Sequence, residues 1–301
     1  MRQQILTIAL CCVFILSALS DVLSQPLHRT DLSNLRVNAF AQDSLGYIWI
    51  ATANGLCKSF GESYDVFFYD EADEHSIPSN LITGLYVDDA SKLWISTGKG
   101  ICSMARGKYE FHRYSQSTST GMESFFLGFV QYAGRIYTYG YNGLYEIDEK
   151  NKTLIPRIEV DRQVIYGAVT DSHGNLWLTN GAELIKLDRS LSLISKIVVG
   201  RDDVVNCMVS DREKILLGTE NGIKLLDLHS LEISDGDFPH ALDDLRINQM
   251  LPVDGGRKLL ISTRNKGALV YDMETRDVIS RYNNDEFADI PSVDINTAFV
   301  D

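Results

Sequence analysis

Metal or general-base chemistry in this chain would have to rest on six histidines, His28, His75, His112, His173, His229 and His240. These stand singly, with no two at the spacing of metal ligands. A lone histidine in a turn is ordinarily just solvated. The acidic pairs Asp88-Asp89, Asp202-Asp203 and Asp243-Asp244 invite comparison with the carboxylates of glycoside hydrolysis, but that chemistry needs two acids roughly 5 to 10 Å apart across a cleft. Adjacent acids on one turn serve solubility instead. No nucleophile elbow, phosphate loop or calcium loop occurs. The expectation is a chain with no catalytic residues, no metal site and no cofactor.

Binding is what the residue types do support. Lys99, Tyr141, Glu220, Arg264, Asn265 and Lys266 sit in turns, where side chains project, and Tyr139 lies just before Tyr141. Tyrosine offers an apolar face edged by a hydroxyl, which suits carbohydrate, so Tyr139 and Tyr141 head the candidate ligand-binding residues. The rival reading is that tyrosine merely takes the place of tryptophan in packing. Whether any of these side chains meet depends on the elements that carry them.

Those elements repeat. The stretch Val37-Asn-Ala-Phe-Ala-Gln-Asp43-Ser-Leu-Gly46-Tyr-Ile-Trp49-Ile-Ala-Thr52-Ala-Asn-Gly55-Leu56 has a fixed grammar: an apolar run ending in Asp, a Gly turn, Trp-Ile-small-Thr, then Asn-Gly-Leu. It returns at Asp88, Trp94 and Gly100, at Tyr137 and Gly143, at Asp171 and Trp177, at Leu216 and Gly222, and at Asp254, Leu260 and Gly267, with Glu183 standing where the fourth copy should have Gly. Positions 49, 94, 137, 177, 216 and 260 lie 39 to 45 residues apart. A period of roughly 40 to 50 residues indicates helix-pair arrays or propeller blades.

Period-2 alternation decides between them, because each copy breaks into four short apolar runs split by Asp, Gly and Asn, with no helical stripe after the N-terminus. The expectation is all-β: a β-propeller of four-stranded antiparallel blades, six blades plus the first strand of a seventh. Repeats fall near 35–80, 81–122, 123–162, 163–203, 204–244 and 245–291, with the next starting over 292–301. Trp49, Trp94 and Trp177 would wedge between blades, and the turn aspartates would hold nearby backbone N–H groups. In such a ring the loops joining second to third strands share one rim with the connections between blades, and that rim carries the candidate binding residues.

Charge limits the partners: 28 Lys and Arg against 41 Asp and Glu give a net charge of −13, so nucleic acid and anionic membranes are poor partners. Met1-Arg2-Gln3-Gln4 followed by Ile5 to Leu19 and a small-residue site reads as a secretory signal over 1–24, with the propeller over 25–301. Its removal would leave Cys57, Cys102 and Cys207, an odd number that makes no complete disulfide framework; Cys57 and Cys102 read as small buried hydrophobes. Pro26 to Thr30 is an outer strand available to complete the last blade. Val293 to Asp301 repeats Val37 to Asp43 in register, Asn296 matching Asn38, so the front part of a longer polypeptide is expected.

The run Asp-Ser-x-Gly-x-Ile-Trp-Ile-Ala-Thr-x-x-Gly-Leu resembles the two-component regulator propeller repeat, strongly in the first, second and fourth copies and over about 27 to 301 in all. The resemblance implies the periplasmic sensor region of a hybrid two-component regulator, a class found mostly in polysaccharide-degrading gut bacteria. It further implies an oligosaccharide ligand, a homodimer through the full-length sensor, and a membrane helix and histidine kinase in a downstream part. An exported propeller enzyme acting on glycans and a stand-alone scaffold or gene fragment remain open beside it.

Overall fold

Each copy folds into the strands its alternating residues demand, because a strand with an apolar face must bury it against a neighbouring sheet. The computed structural model describes residues 27–29, 31–61, 63–105, 107–116, 125–200, 203–283 and 294–299. The expected leader over 1–24, together with Pro26, Thr30, Asp202, Val293 and Asp301, lies outside the described residues. Among the described residues there are 24 strands and two short 3₁₀ turns, His240–Leu242 and Asp254–Gly256.

The first blade consists of β2 (Val37–Gln42), β3 (Ile48–Thr52), β4 (Gly55–Phe60) and β5 (Ser63–Phe67), preceded by β1 (Leu27–Arg29). The second is β6 (Ile82–Val87), β7 (Leu93–Thr97), β8 (Gly100–Met104) and β9 (Phe111–Gln116). The third has β10 (Phe126–Tyr132), β11 (Arg135–Asp148) and β12 (Thr153–Val164). Next come β13 (Gly167–Thr170), β14 (Leu176–Thr179), β15 (Glu183–Leu187) and β16 (Leu193–Val198), and then β17 (Val205–Asp211), β18 (Lys214–Thr219), β19 (Gly222–Asp227) and β20 (Ile233–Ser234). The sixth is β21 (Ile247–Val253), β22 (Lys258–Thr263), β23 (Ala268–Asp272) and β24 (Asp277–Tyr282). Within each blade the strands pair antiparallel in chain order, the pattern of a β-propeller.

The core lies between blades rather than within them. Trp49 packs with Ile82, Leu93 and Ile95 of the second blade, Trp94 with Phe126 and Tyr145 of the third, and Trp177 with Val205, Ile215 and Leu217 of the fifth. All three indoles are fully buried, and each Nε1–H donates to an aspartate six residues earlier: Trp49 to Asp43 (2.9 Å), Trp94 to Asp88 (2.8 Å) and Trp177 to Asp171 (2.8 Å). The other carboxylate oxygen accepts backbone N–H groups two and four residues on, so one side chain fixes both the turn and the wedge. Where the wedge is Leu260, Asp254 has no indole to meet and pairs with Arg257 (2.6 Å) and Lys258 (3.2 Å) instead.

Three expectations need correction. The N-terminal strand does not complete a last blade: β1 pairs with β5 of the first, Leu27 opposite Val66 and Arg29 opposite Tyr64, and so covers that blade's outer edge. In the third copy the second and third strands are not separate. They form one strand, β11, bent at Asn142 and Gly143, because Gly140 stands where the other copies have the Thr that ties the turn. β12 consequently runs on to Val164, and the fourth inner strand begins at 167 rather than 164.

Residues 294–299 take the seventh inner place without forming a strand. Ile295 N donates to Thr263 O (2.8 Å), Thr297 Oγ1 to Gln249 Oε1 (2.8 Å) and Asn296 Nδ2 to Val37 O (3.4 Å), while Phe299 stacks on Phe40. Contacts therefore run from the sixth blade back to the first. An apolar cleft of about 600 Å³ opens between those two blades, lined by Ile50, Tyr64, Leu260, Val270, Tyr282 and Phe299 among others.

Candidate binding site at the channel mouth

The Thr of Trp-Ile-small-Thr earns its place in the repeat by holding the turn that follows. Thr52, Thr97, Thr219 and Thr263 each donate Oγ1–H to the carbonyl three or four residues on, at 2.7 to 2.9 Å, and accept a backbone N–H from within the turn. Thr179 does the same with Glu183 O (3.2 Å), and there Gly181, at φ +92°, supplies the left-handed residue that Glu183 cannot. These turns stand on one rim, beside the starts of the inner strands.

An asparagine belt links those starts. Asn38 Nδ2 donates to Ile82 O (2.7 Å), Asn206 to Ile247 O (2.9 Å), Asn248 to Ile295 O (2.9 Å) and Asn296 to Val37 O, with Thr83 Oγ1 doing the same to Phe126 O (2.6 Å). Each side chain reaches the backbone of the next inner segment, so part of the channel mouth is bordered by four amides and one hydroxyl, while Leu127 and Ala168 stand at the same position in the third and fourth copies.

Two of the predicted residues meet there. Arg264 Nη1 lies 3.2 Å from Glu220 Oε1, which also accepts Asn206 Nδ2 (3.0 Å), and Arg264 donates on its other side to Asn248 Oδ1 at 3.2 to 3.3 Å. The network spans the fifth and sixth blades and stays accessible: the Arg264 side chain is 48% exposed and that of Glu220 26%. Asn265, on the same turn, faces backbone instead, accepting Arg246 N (3.0 Å) and donating to Asp244 O (2.8 Å), and so fixes the connection between the two blades. Lys266 and Lys99 are exposed on their own turns.

The tyrosines lie elsewhere. Tyr139 packs with Tyr132, Tyr137, Leu144, Ile165 and Leu178 between the third and fourth blades, and burial pushes its phenol up to about 12. Its position is small in four other copies, Ala51, Ser96, Gly218 and Ser262, whereas here Gly128 stands opposite and a Cβ there would lie 2.5 Å from the Tyr139 hydroxyl. Tyr141 is half-buried at the rim end of the third blade, its N–H donating to Phe125 O (2.8 Å) and its backbone opposite Val164. Neither joins the Arg264 network.

Asn206 and Asn248 are the site residues that motif reasoning passed over. Their signal was present, since an Asn or Thr recurs at the second position of the inner strand in five places, but its partner is the next repeat's backbone. Among the described residues no group of three or more His, Cys, Asp or Glu is placed to hold a metal ion. His75 and His112 sit edge to face at 6.3 Å on the outside of the second blade, and His173 lies 3.1 Å from Glu213, both away from the network. The arrangement at the mouth can donate and accept hydrogen bonds from planar, fixed groups.

Among the described residues no helix is long and apolar enough to cross a membrane. No curated protein matches this chain. Solved structures with the same fold include one described as the extracellular domain of a hybrid two component system, BT3049, from B. thetaiotaomicron, at TM-score 0.74 and 18% identity over 92% of this chain and 39% of that one. A second, BT4673 from the same organism, gives 0.65 and 18% over 85% and 37%. This chain thus spans well under half the length of either. A streptogramin B lyase gives 0.63 and 13% identity over 86% of this chain and 88% of that one. Residues 31–54, which lead into and include the first Asp43–Trp49 pair and its Thr52 turn, match the model of the two component regulator propeller family.

Proposed function

We propose that this chain is the periplasmic ligand-sensing propeller of a hybrid two-component regulator, and that it takes a neutral oligosaccharide at the channel mouth. The observation that carries the reading is the accessible network of Asn206, Glu220, Asn248 and Arg264. Sugar hydroxyls both donate and accept, so adjacent pairs of them match planar amide, carboxylate and guanidinium groups already held in place. A charge of −13 disfavours sulfated or uronic-acid-rich ligands. The repeat match and the fold shared with extracellular domains of hybrid systems support the sensor reading over other uses of a propeller. Signalling would pass to a downstream histidine kinase in a homodimeric full-length protein, and needs the ligand to favour one of two domain arrangements.

Isothermal titration of the chain with a panel of neutral oligosaccharides tests this. The expected result is binding by at least one, weakened roughly tenfold or more in Arg264→Ala, since loss of a hydrogen bond to a charged group costs about 1.5 to 3 kcal/mol. Binding unchanged in Arg264→Ala and Asn248→Ala would move the site elsewhere, and silence across the panel would remove the ligand class. The second reading, a propeller enzyme acting on glycans, is favoured by the fold shared with streptogramin B lyase. Product release from the same panel on long incubation would select it.

A further inference from the structure

The residue immediately before each inner strand stands at the mouth, its backbone bonded to the rim turn of its own blade. Arg36 O accepts Ala53 N (3.0 Å), Leu81 O accepts Gly98 N (2.9 Å) and Phe125 O accepts Tyr141 N (2.8 Å). Val204 O accepts Glu220 N (3.3 Å) and Arg246 O accepts Arg264 N (2.8 Å). In the fourth blade Tyr166 takes this place, its N–H donating to Thr179 O (2.9 Å).

These positions differ around the ring. From the second blade to the fifth they are apolar: Leu81 (37% exposed), Phe125 (half-buried), Tyr166 (45%) and Val204 (43%). From the sixth blade back to the first they are charged, as Arg246, Asp294 and Arg36. The change falls between the fifth and sixth blades, and Glu220 and Arg264 face each other across that same boundary. A ligand lying there meets an apolar surface on one side and fixed polar groups on the other.

Tyr166 is built into this site. A Cβ on Gly181 would lie 3.2 Å from Val204 Cγ1 and 3.5 Å from Tyr166 Cε2, so the bare Cα lets both side chains close over the turn of the fourth blade. Val205 N donates to Gly181 O (2.9 Å), and contacts then run without a gap from Tyr166 through Gly181 and Val204 to Glu220 and Arg264. Asn180, on the same turn, donates Nδ2 to Gln163 Oε1 (2.9 Å) and Glu183 Oε2 (3.2 Å), so planar polar groups border the ring here as well. Among the described residues the other exposed tyrosines are engaged elsewhere. Tyr69 lies against Arg113, Tyr109 accepts Lys58 Nζ (2.9 Å), and Tyr282 lines the cleft between the sixth and first blades.

We propose that Tyr166, flanked by Val204, is the stacking platform of the channel mouth, taking the C–H face of a pyranose ring while the hydroxyls around its edge reach Glu220, Arg264 and Asn248. The platform rests on the reading of the mouth as a sugar site and gives that site an aromatic surface. The C–H groups of a pyranose carry partial positive charge and meet the negative face of the phenol ring. An aromatic wall with a few placed polar groups is the usual make-up of a small-ligand site.

Calorimetric titration of wild type, Tyr166→Ala, Tyr166→Phe and Arg264→Ala with cellotetraose, xylotetraose, mannotetraose and maltotetraose tests it. For whichever of these binds, Tyr166→Ala should weaken binding roughly fivefold or more and Tyr166→Phe less than about twofold, since the ring carries the contact and the hydroxyl does not. Nuclear Overhauser contacts should join the Tyr166 ring protons to sugar C–H protons. Binding that Arg264→Ala weakens and Tyr166→Ala leaves unchanged would overturn the platform and leave the sugar site standing. No binding by any of the sugars would overturn both. A concentration-dependent dimer in sedimentation equilibrium that Tyr166→Ala disperses would also overturn it, giving this apolar surface to a second copy.

Discussion

Replacing Trp177 by Leu, the residue at the same position of the fifth and sixth copies, separates the two tasks of the wedge. The substitution removes part of a fully buried ring and takes the indole donor from the Asp171 carboxylate, which is 5% exposed and keeps Asn175 and two backbone N–H groups as donors. Lost ring volume costs somewhat less than the 3 to 5 kcal/mol of a Trp→Ala change, about 2 to 3 kcal/mol. The indole bond to a charged acceptor adds about 1.5 to 3 kcal/mol. Asp171→Asn alone loses the charge but keeps an acceptor for Trp177, and the double variant gives the coupling. Urea unfolding followed by far-UV circular dichroism, with all four proteins at pH 7, should return a coupling of about 1.5 kcal/mol or more. Burial pushes the Asp171 carboxyl up, but the hydrogen bonds from Trp177 and Asn175 outweigh that and hold it below the ordinary carboxylate range. A folded carboxyl that binds its proton less tightly than the unfolded one stabilises the fold above the unfolded pKa of about 3.9, and that contribution is lost as pH falls through the folded value. The advantage of wild type over Asp171→Asn should therefore shrink on acidification below about pH 4. Coupling under about 0.3 kcal/mol at pH 7, or an advantage that grows in acid, would refute the claim that the Asp–Trp bond organises the blades that carry it.

Other consequences are local. Gly143→Ala places a Cβ at 1.8 Å from Ile158 O at φ +134° and should destabilise by more than about 3 kcal/mol, whereas Gly134→Ala, at φ +75° with nothing nearby, should cost about 1 kcal/mol in the same unfolding measurement. Thr219→Val removes the hydroxyl that holds the Gly222 turn and should cost about 1 to 2 kcal/mol, with faster hydrogen exchange confined to that rim. Burial pushes the Cys207 thiol up to about 12 and also raises that of Cys102, so thiol reagents at pH 8 should leave these two cysteines unlabelled in the native chain and react with them on unfolding.

The parts of this fold that were legible in the sequence are those settled within one repeat. Asp and Trp six residues apart face each other across a short hairpin loop, and the Thr–Gly turn closes over three residues, so both repeat as visible spacing. What escaped depends on neighbours. β1 could have served either end of the ring, and only the open edge of β5 selects it. Tyr139 looked like a departure aimed at a ligand, yet its ring is buried between blades, with Gly128 opposite it leaving the room its hydroxyl needs. The belt asparagines were visible as residues but not as a belt, because Asn38, Asn206 and Asn248 each bond a carbonyl 41 to 47 residues further along and Asn296 reaches back to Val37. Glu220 and Arg264 were picked for standing in turns on the rim beside the inner-strand starts, and Asn206 and Asn248, which tie them together, lie on strands where a ligand was not sought.

The channel-mouth assignment can be read directly from the Arg264 side chain. In a ¹⁵N-labelled protein titrated with whichever oligosaccharide binds, the Arg264 Nε–H and the Asn206 and Asn248 amide side-chain signals should move together and saturate at the same concentration. Shifts confined to the opposite rim, around Asp89 and Glu149, with the Arg264 signal unmoved, would contradict the account.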